Sequence, residues 1–301
     1  MKKLRLHIWI LLGAFLVLLI IGSFADLSLS KAIFSRNNGF GIFMSMIGTI
    51  PGYGMLAFLA GGLFTLAVKR DYSIMGIIFL YMLGTLCFLC SIYFSGREFF
   101  GPNGLNNPSL SFVGYIIALP FMLGFMYLGY FVSKDSDNKY LLIVYLVLVA
   151  AIGLALLAGT TFLKSLFHRP RYRTLSIEEY SDIVFASWWQ RTPNYKDLMN
   201  QYSVISEEFK SFPSGHASAS MVFVLVSAFI PLFNKKYAKL QLPIMYAGLG
   251  FGVLVMFTRI LVGAHFLSDV SMGAIITLLM LYISNEIFIY MDKKHPSVGV
   301  L

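Results

Sequence analysis

Leu141-Leu-Ile-Val-Tyr-Leu-Val-Leu-Val-Ala-Ala-Ile-Gly-Leu-Ala-Leu-Leu-Ala-Gly-Thr-Thr-Phe-Leu163 carries no charged residue and is followed at once by Lys164. A helix needs about 20 mostly apolar residues to cross the hydrocarbon core of a bilayer, and this run meets that length. Seven more runs share its character: Ile8 to Phe24, Gly48 to Val68, Ile74 to Ser95, Ser111 to Val132, Ala217 to Phe233, Ile244 to Val262 and Leu267 to Tyr290. Pro51-Gly52-Tyr53-Gly54 is expected to kink or delay the second of these eight spans, and Asp26 to Phe43 reads alternatively as a partly amphipathic interfacial segment. The chain is 58% hydrophobic and 12% charged, whereas a soluble domain carries about 25% charged residues. The expected fold class is therefore all-α, a polytopic membrane helix bundle.

The net charge of +9 does not imply a nucleic-acid partner, because the basic residues are scattered through short loops rather than massed on one face. Their distribution instead sets an orientation. With the N-terminus inside, Lys2, Lys3, Arg5, Lys69, Arg70, Lys134, Lys139, Lys235, Lys236, Lys239, Lys293 and Lys294 share one side, while short loops opposite hold only Lys31, Arg36 and Arg97. The positive-inside rule then predicts an even span count with both termini cytoplasmic. The apolar N-terminal run reads as an uncleaved anchor rather than a signal peptide, although Ser23-Phe24-Ala25 resembles a cleavage site. Cys87 and Cys90 lie in an apolar run with no further ligands nearby and read as core residues. Gly248 and Gly252, inside a span with no preceding strand, read as a close helix contact rather than a nucleotide loop.

Three short stretches at the ends of apolar runs carry chemistry, and the orientation puts all of them outside. In the first, Lys164 and Arg171 are seven residues apart, and a helix continuing past the fifth span would present them together. Pro170 favours a turning loop instead. With Arg169 and Arg173 they form a cluster suited to an anion, a guanidinium gripping two oxygens and an ammonium acting as a point charge. The second stretch, Pro213-Ser-Gly-His216, precedes the sixth span. Unpaired N–H groups and the positive end of a helix there bind phosphate, Ser214 adds a hydroxyl, and Gly215 lets the backbone approach.

The third stretch holds Arg259, His265 and Asp269. Asp269 falls one turn after His265 on a shared helix face, where a carboxylate bonded to one ring nitrogen leaves the other as a directed nucleophile. Arg259 and His265 do not share a face of one continuous helix, so a break at Gly263-Ala264 is expected to bring them to a common point. The segment Tyr172 to Phe212 is the one sizeable polar stretch, and Trp188 and Trp189 suit either the headgroup region or a solvated loop.

These motifs resemble those of the type 2 phosphatidic acid phosphatase family over roughly Leu141 to Tyr290. The family pattern is a lysine, six residues and Arg-Pro, then Pro-Ser-Gly-His, then Ser-Arg, five residues, His, three residues and Asp. Here Tyr172 replaces the first proline and Thr258 the serine, while every cation, histidine and acid is retained. The resemblance implies a six-helix core with about two added N-terminal spans, so that residues 1–140 carry N-terminal spans and 141–301 the catalytic half with its external loop 172–212. It implies hydrolysis through a phosphohistidine, with His265 as nucleophile, Asp269 orienting it and His216 as acid and base. Lys164, Arg171, Ser214, Gly215 and Arg259 would bind the phosphate, with no metal and no cofactor. Soluble haloperoxidases of the same superfamily hold vanadate in this pocket, an activity the spans argue against. The expected substrate is a membrane lipid phosphate or diphosphate on the outer face of the plasma membrane, met within the bilayer. Transfer to another acceptor, or a non-catalytic lipid-binding or transport role, are the alternatives.

Overall fold

Every regular element among residues 2–69, 71–157 and 162–294, which the computed structural model describes, is helical. In chain order these are α1 (Lys2–Ile33), α2 (Gly39–Ile47), α3 (Ile50–Lys69), α4 (Ile74–Phe100), α5 (Ser111–Ser133), α6 (Leu141–Leu157), α7 (Leu163–Phe167), α8 (Tyr172–Leu175), α9 (Tyr195–Tyr202), α10 (Gly215–Ser227), α11 (Ile230–Phe233), α12 (Gln241–Leu261) and α13 (Leu267–Lys294). The protein is an all-α polytopic bundle. Among the described residues six helical stretches are long and apolar enough to cross a membrane: Lys3–Ile33, Gly39–Lys69, Ile74–Phe100, Pro108–Ser133, Lys235–Leu261 and Leu267–Lys294.

Two of the eight expected spans are short helices in the structure. α6 has 17 residues, and the expected end of that span partly lies in 158–161, outside the described residues. α10 has only 13 residues. The helix stops at Ser227, and Pro231, which has no N–H to donate, stands in the first turn of the separate α11. A short α10 is tolerated because it is buried in the middle of the bundle against α3, α12 and α13. Pro51 likewise sits in the first turn of α3, where its missing N–H costs nothing, so it starts that helix without kinking it.

Gly248 and Gly252 make the close approach expected of them. A Cβ at Gly248 would fall 2.3 Å from the ring of Phe223, and one at Gly252 3.4 Å from Met221 Sδ, so α12 lies against α10.

α1 departs most from expectation. It does not end at Phe24 but runs on through Asp26, so the interfacial segment is absent and Asp26 is buried at 3% exposure. The helix lies along α13, and Arg5 is ion-paired to Glu286 at one end of the contact. The polar segment from Tyr172 to Phe212 is more than a plain solvated loop. It has a small core of Ile183, Leu198, Val204 and Phe209. Trp188 stacks on Phe212 with ring centroids 5.6 Å apart and donates its indole N–H to Ser23 Oγ at 2.9 Å. It therefore anchors the segment to α1, while Trp189 stays exposed.

Candidate functional site

The corner between α12 and α13 is made by Gly263, whose φ of +65° is open to glycine at no steric cost. The expected break is there. The N–H groups of Ala264 and His265 both donate to the Arg259 carbonyl, at 3.0 and 3.2 Å, so Arg259 and His265 leave the corner together. His265 Nδ1 lies 2.6 Å from the carbonyl of Ser211. A carbonyl only accepts, so Nδ1 carries the hydrogen and Nε2 keeps its lone pair.

Asp269 is not bonded to that ring as the spacing suggested. Its Oδ2 stands 3.8 Å from His265 Nδ1, beyond hydrogen-bonding distance. The i,i+4 spacing does bring the two side chains together, but Ser211 intervenes. Ser211 donates its hydroxyl to Asp269 Oδ2 at 2.5 Å and offers its carbonyl to His265. The Phe266 N–H also donates to Oδ2, and Arg169 donates to Oδ1 at 2.5 Å. Asp269 therefore orients the imidazole through Ser211 and through the backbone of the corner.

α7 ends at Phe167, and His168 closes it with a left-handed φ of 49°. The chain then turns rather than continuing as helix to Arg171. Arg171 is fully buried and gives its Nε and Nη2 to Glu207, at 2.8 Å to the carbonyl and 2.6 Å to Oε1. Its Nη1 reaches Asn103 Oδ1 at 3.1 Å and the Ala264 carbonyl at 3.2 Å. The other two arginines of the cluster do not join it. Arg169 is committed to Asp26 and Asp269, and Arg173 to Glu208.

Ser214 is the N-cap of α10, accepting from the Ala217 N–H at 3.3 Å, and Gly215 is the first helical residue. The Ser214 N–H donates to the Asp269 carbonyl at 3.0 Å, which joins the start of α10 to the first turn of α13. Gly273 permits that contact, since a Cβ there would come within 2.5 Å of the Ser214 carbonyl. His216 is buried, with Nε2 3.1 Å from the Ser45 carbonyl and 3.5 Å from Glu98 Oε2.

One cavity of about 370 Å³ brings the stretches together. It is lined by Lys164, Arg171, Gly215, His216 and His265, with Tyr53, Arg97, Glu98, Asn103, Ser165, His168, Glu207 and Lys210 completing the wall. Arg259, Asp269 and Ser214 stand outside its lining. Three arginines are fully buried around it, which is costly unless each charge is compensated. Arg169 and Arg171 have carboxylates. Arg259 has one bond, from Nη2 to the Gly41 carbonyl at 2.8 Å, while its Nε and Nη1 have no partner among the described residues.

The cations leave a mark on the groups around them. Burial, followed by the Arg171 guanidinium, pushes the Lys164 ammonium down to about 8. Burial also pushes the His265 imidazole down to about 3, and Arg171 and Lys164 act in the same direction, so the ring is neutral at physiological pH. Burial works against ionising Glu207, but Arg171, Lys164 and Lys210 outweigh it and hold the carboxyl below its usual range.

Sequence reasoning missed Asp26, Ser211, Glu98, Asn103 and Glu207, and it counted Arg169 in the anion cluster rather than as the partner of Asp26 and Asp269. The missed signal for Asp26 and Glu98 is a lone acid at the edge of an apolar run, which is costly to bury and so rarely idle. Among the described residues no group of three or more His, Cys, Asp or Glu side chains is placed to hold a metal ion. A family model described as the PAP2 superfamily matches residues 140–292. No curated protein and no solved structure matches the chain.

Proposed function

The chain belongs to the PAP2 superfamily, whose members include phosphatases, and from that we propose that this multi-pass membrane protein hydrolyses a lipid phosphate or diphosphate through a phosphohistidine at His265. The observation carrying the reading is the single cavity that His216, His265, Lys164, Arg171 and the start of α10 line together. Arg259 supports it, because its unpartnered buried Nε and Nη1 call for an anion.

In this reading the phosphoryl oxygens are held by Lys164, Arg171 and Arg259, with the N–H groups at Gly215 and the Ser214 hydroxyl. Such fixed donors stabilise charge most as the transition state forms. His265 Nε2 attacks phosphorus as the bond to the leaving oxygen breaks, and His216 gives that oxygen a proton. Glu98, 3.5 Å from His216, is the neighbour a positively charged ring needs. Deprotonated His216 then takes a proton from water, which attacks the phosphohistidine, releasing inorganic phosphate and restoring both rings.

We further place the catalytic half in 141–301 with the spans of 1–140 framing it, the site on the extracytoplasmic face of the plasma membrane, and both termini inside. Undecaprenyl diphosphate and phosphatidylglycerol phosphate are the preferred substrates, with phosphatidic acid as a third candidate. The reaction needs no metal, so activity is expected to survive EDTA, and vanadate, a mimic of the five-coordinate phosphoryl group, is expected to inhibit. The deciding experiment is phosphate release by purified His265→Ala protein from these three lipids in detergent. Loss of release, and of acid-labile phosphate on the protein, supports the mechanism. Undiminished release overturns it, and label passing to a second acceptor in the wild type would mark a transferase.

A further inference from the structure

α1 lies wholly outside the matched residues 140–292, yet it supplies a buried carboxylate behind His265 and Asp269. Asp26 is 3% exposed. Its Oδ2 accepts from Arg169 Nη2 at 2.9 Å and from the Ser268 hydroxyl, and its Oδ1 accepts from the Ser268 N–H at 2.9 Å, an unpaired donor in the first turn of α13. The other arm of Arg169 donates from Nη1 to Asp269 Oδ1 and to Ser268 Oγ. Close approach of the helices is built in at Gly22, where a Cβ would fall 2.6 Å from the Ser268 nitrogen.

We propose that Asp26 is a positioning residue for the histidine nucleophile, acting through Arg169 and Asp269. The logic is one of valence. A guanidinium facing a single carboxylate closes on it with two parallel bonds. Here Nη2 is taken by Asp26, so Asp269 receives one bond on Oδ1 and keeps Oδ2 for the Ser211 hydroxyl and the Phe266 N–H. Those two donors fix the Ser211 carbonyl and the α12–α13 corner against His265 Nδ1. Without the Asp26 charge, Arg169 is free to draw Asp269 into a two-bond pairing and away from Ser211. The tautomer and aim of His265 would then be lost while the phosphate-binding cations, none of which touches Asp26, stay in place.

The inference rests on His265 being the nucleophile, and its test separates the two claims. Asp26→Asn keeps the shape and removes the charge. The expected result is a kcat lower by about 10- to 100-fold, as for misplaced reacting groups, with KM and the affinity for inorganic phosphate close to wild type. Vanadate, which needs an aimed His265, is expected to weaken in step with kcat/KM. Asp26→Asn protein matching wild type in kcat and vanadate inhibition overturns the inference, as does equal loss of phosphate and vanadate affinity, which would mark a merely structural contact. Should Asp26→Asn fail to fold, Ser268→Ala, which breaks the same ring of bonds at its centre, carries the same readouts. Inactive His265→Ala beside unaffected Asp26→Asn and Ser268→Ala sinks only this proposal, whereas active His265→Ala sinks the mechanism beneath it.

Discussion

At the scale of single residues, the site is governed by how each buried charge is matched. Lys164 is the cation whose charge varies within reach of assay. Held near 8 instead of the usual 10.5, it loses its proton in the free enzyme as pH rises through that value, so kcat/KM is expected to fall above pH 8. A bound phosphoryl group holds the proton, so kcat falls later. Lys164→Arg keeps its charge throughout and is expected to remove the kcat/KM limb; a wild-type profile flat to pH 10 would exclude Lys164 from the free-enzyme site. Arg169 behaves differently. Replacing it with Ala strands Asp26 and Asp269 as buried carboxylates, and breaking a buried pair costs about 3–5 kcal/mol. Thermal unfolding in detergent is expected to show that loss together with inactivity, whereas an Arg169→Ala protein as stable as wild type would contradict the pairing. The motif residues were legible in the sequence because an anion site asks for those residue types at those spacings. Ser211, Asn103 and Glu207 were not, since a residue that supports another is chosen by three-dimensional proximity and leaves no local pattern.

At the scale of elements, the catalytic geometry is a matter of where α10 and α13 begin relative to each other. The contact is backbone to backbone, from the Ser214 N–H to the Asp269 carbonyl, beside Gly273. A methyl group at Gly273 meets the Ser214 carbonyl at 2.5 Å and the Ala217 Cβ at 3.0 Å, neither of which is a flexible side-chain end. Gly273→Ala is expected to cost about 1–3 kcal/mol through overpacking, and a shift of even an ångström between the helices lowers kcat by about 100-fold. Gly250→Ala is the control, because no atom lies within 4 Å of its would-be Cβ and helix propensity favours Ala there by about 0.5–1 kcal/mol. Equal effects from the two changes would refute the close-approach account. Hydrophobic run length located each of the long helices, and Gly263-Ala264 marked the corner between α12 and α13. Length alone misjudged α10, because an apolar helix enclosed by other helices need not match the bilayer. It misjudged α1 too, since Asp26 reads as a helix-ending charge until Arg169, far along the chain, is seen to meet it.

At the scale of the whole molecule, the N-terminal half forms part of the wall of the site. Asn103 bonds Arg171, the Gly41 carbonyl bonds Arg259, and the Ser45 carbonyl and Glu98 face His216. The likeness of motifs could announce only the second half, because the family's pattern is written in the groups that touch phosphate. The covering spans are specified by burial and packing, which many sequences satisfy. Their placement makes the topology testable as a unit. The cavity and the folded segment from Tyr172 to Phe212 share one end of the bundle, and Lys134 and Lys236, both over the Phe131 ring, mark the other. The positive-inside rule predicts that the lysine-rich end is the cytoplasmic one. In a background with Cys87 and Cys90 replaced by Ala, a cysteine at exposed Glu178 is expected to react with a membrane-impermeant maleimide in intact cells. A cysteine at exposed Lys239 is expected to react only after the membrane is opened. The reverse pattern would put the cavity inside the cell and with it remove every substrate confined to the outer leaflet, while leaving the histidine chemistry untouched.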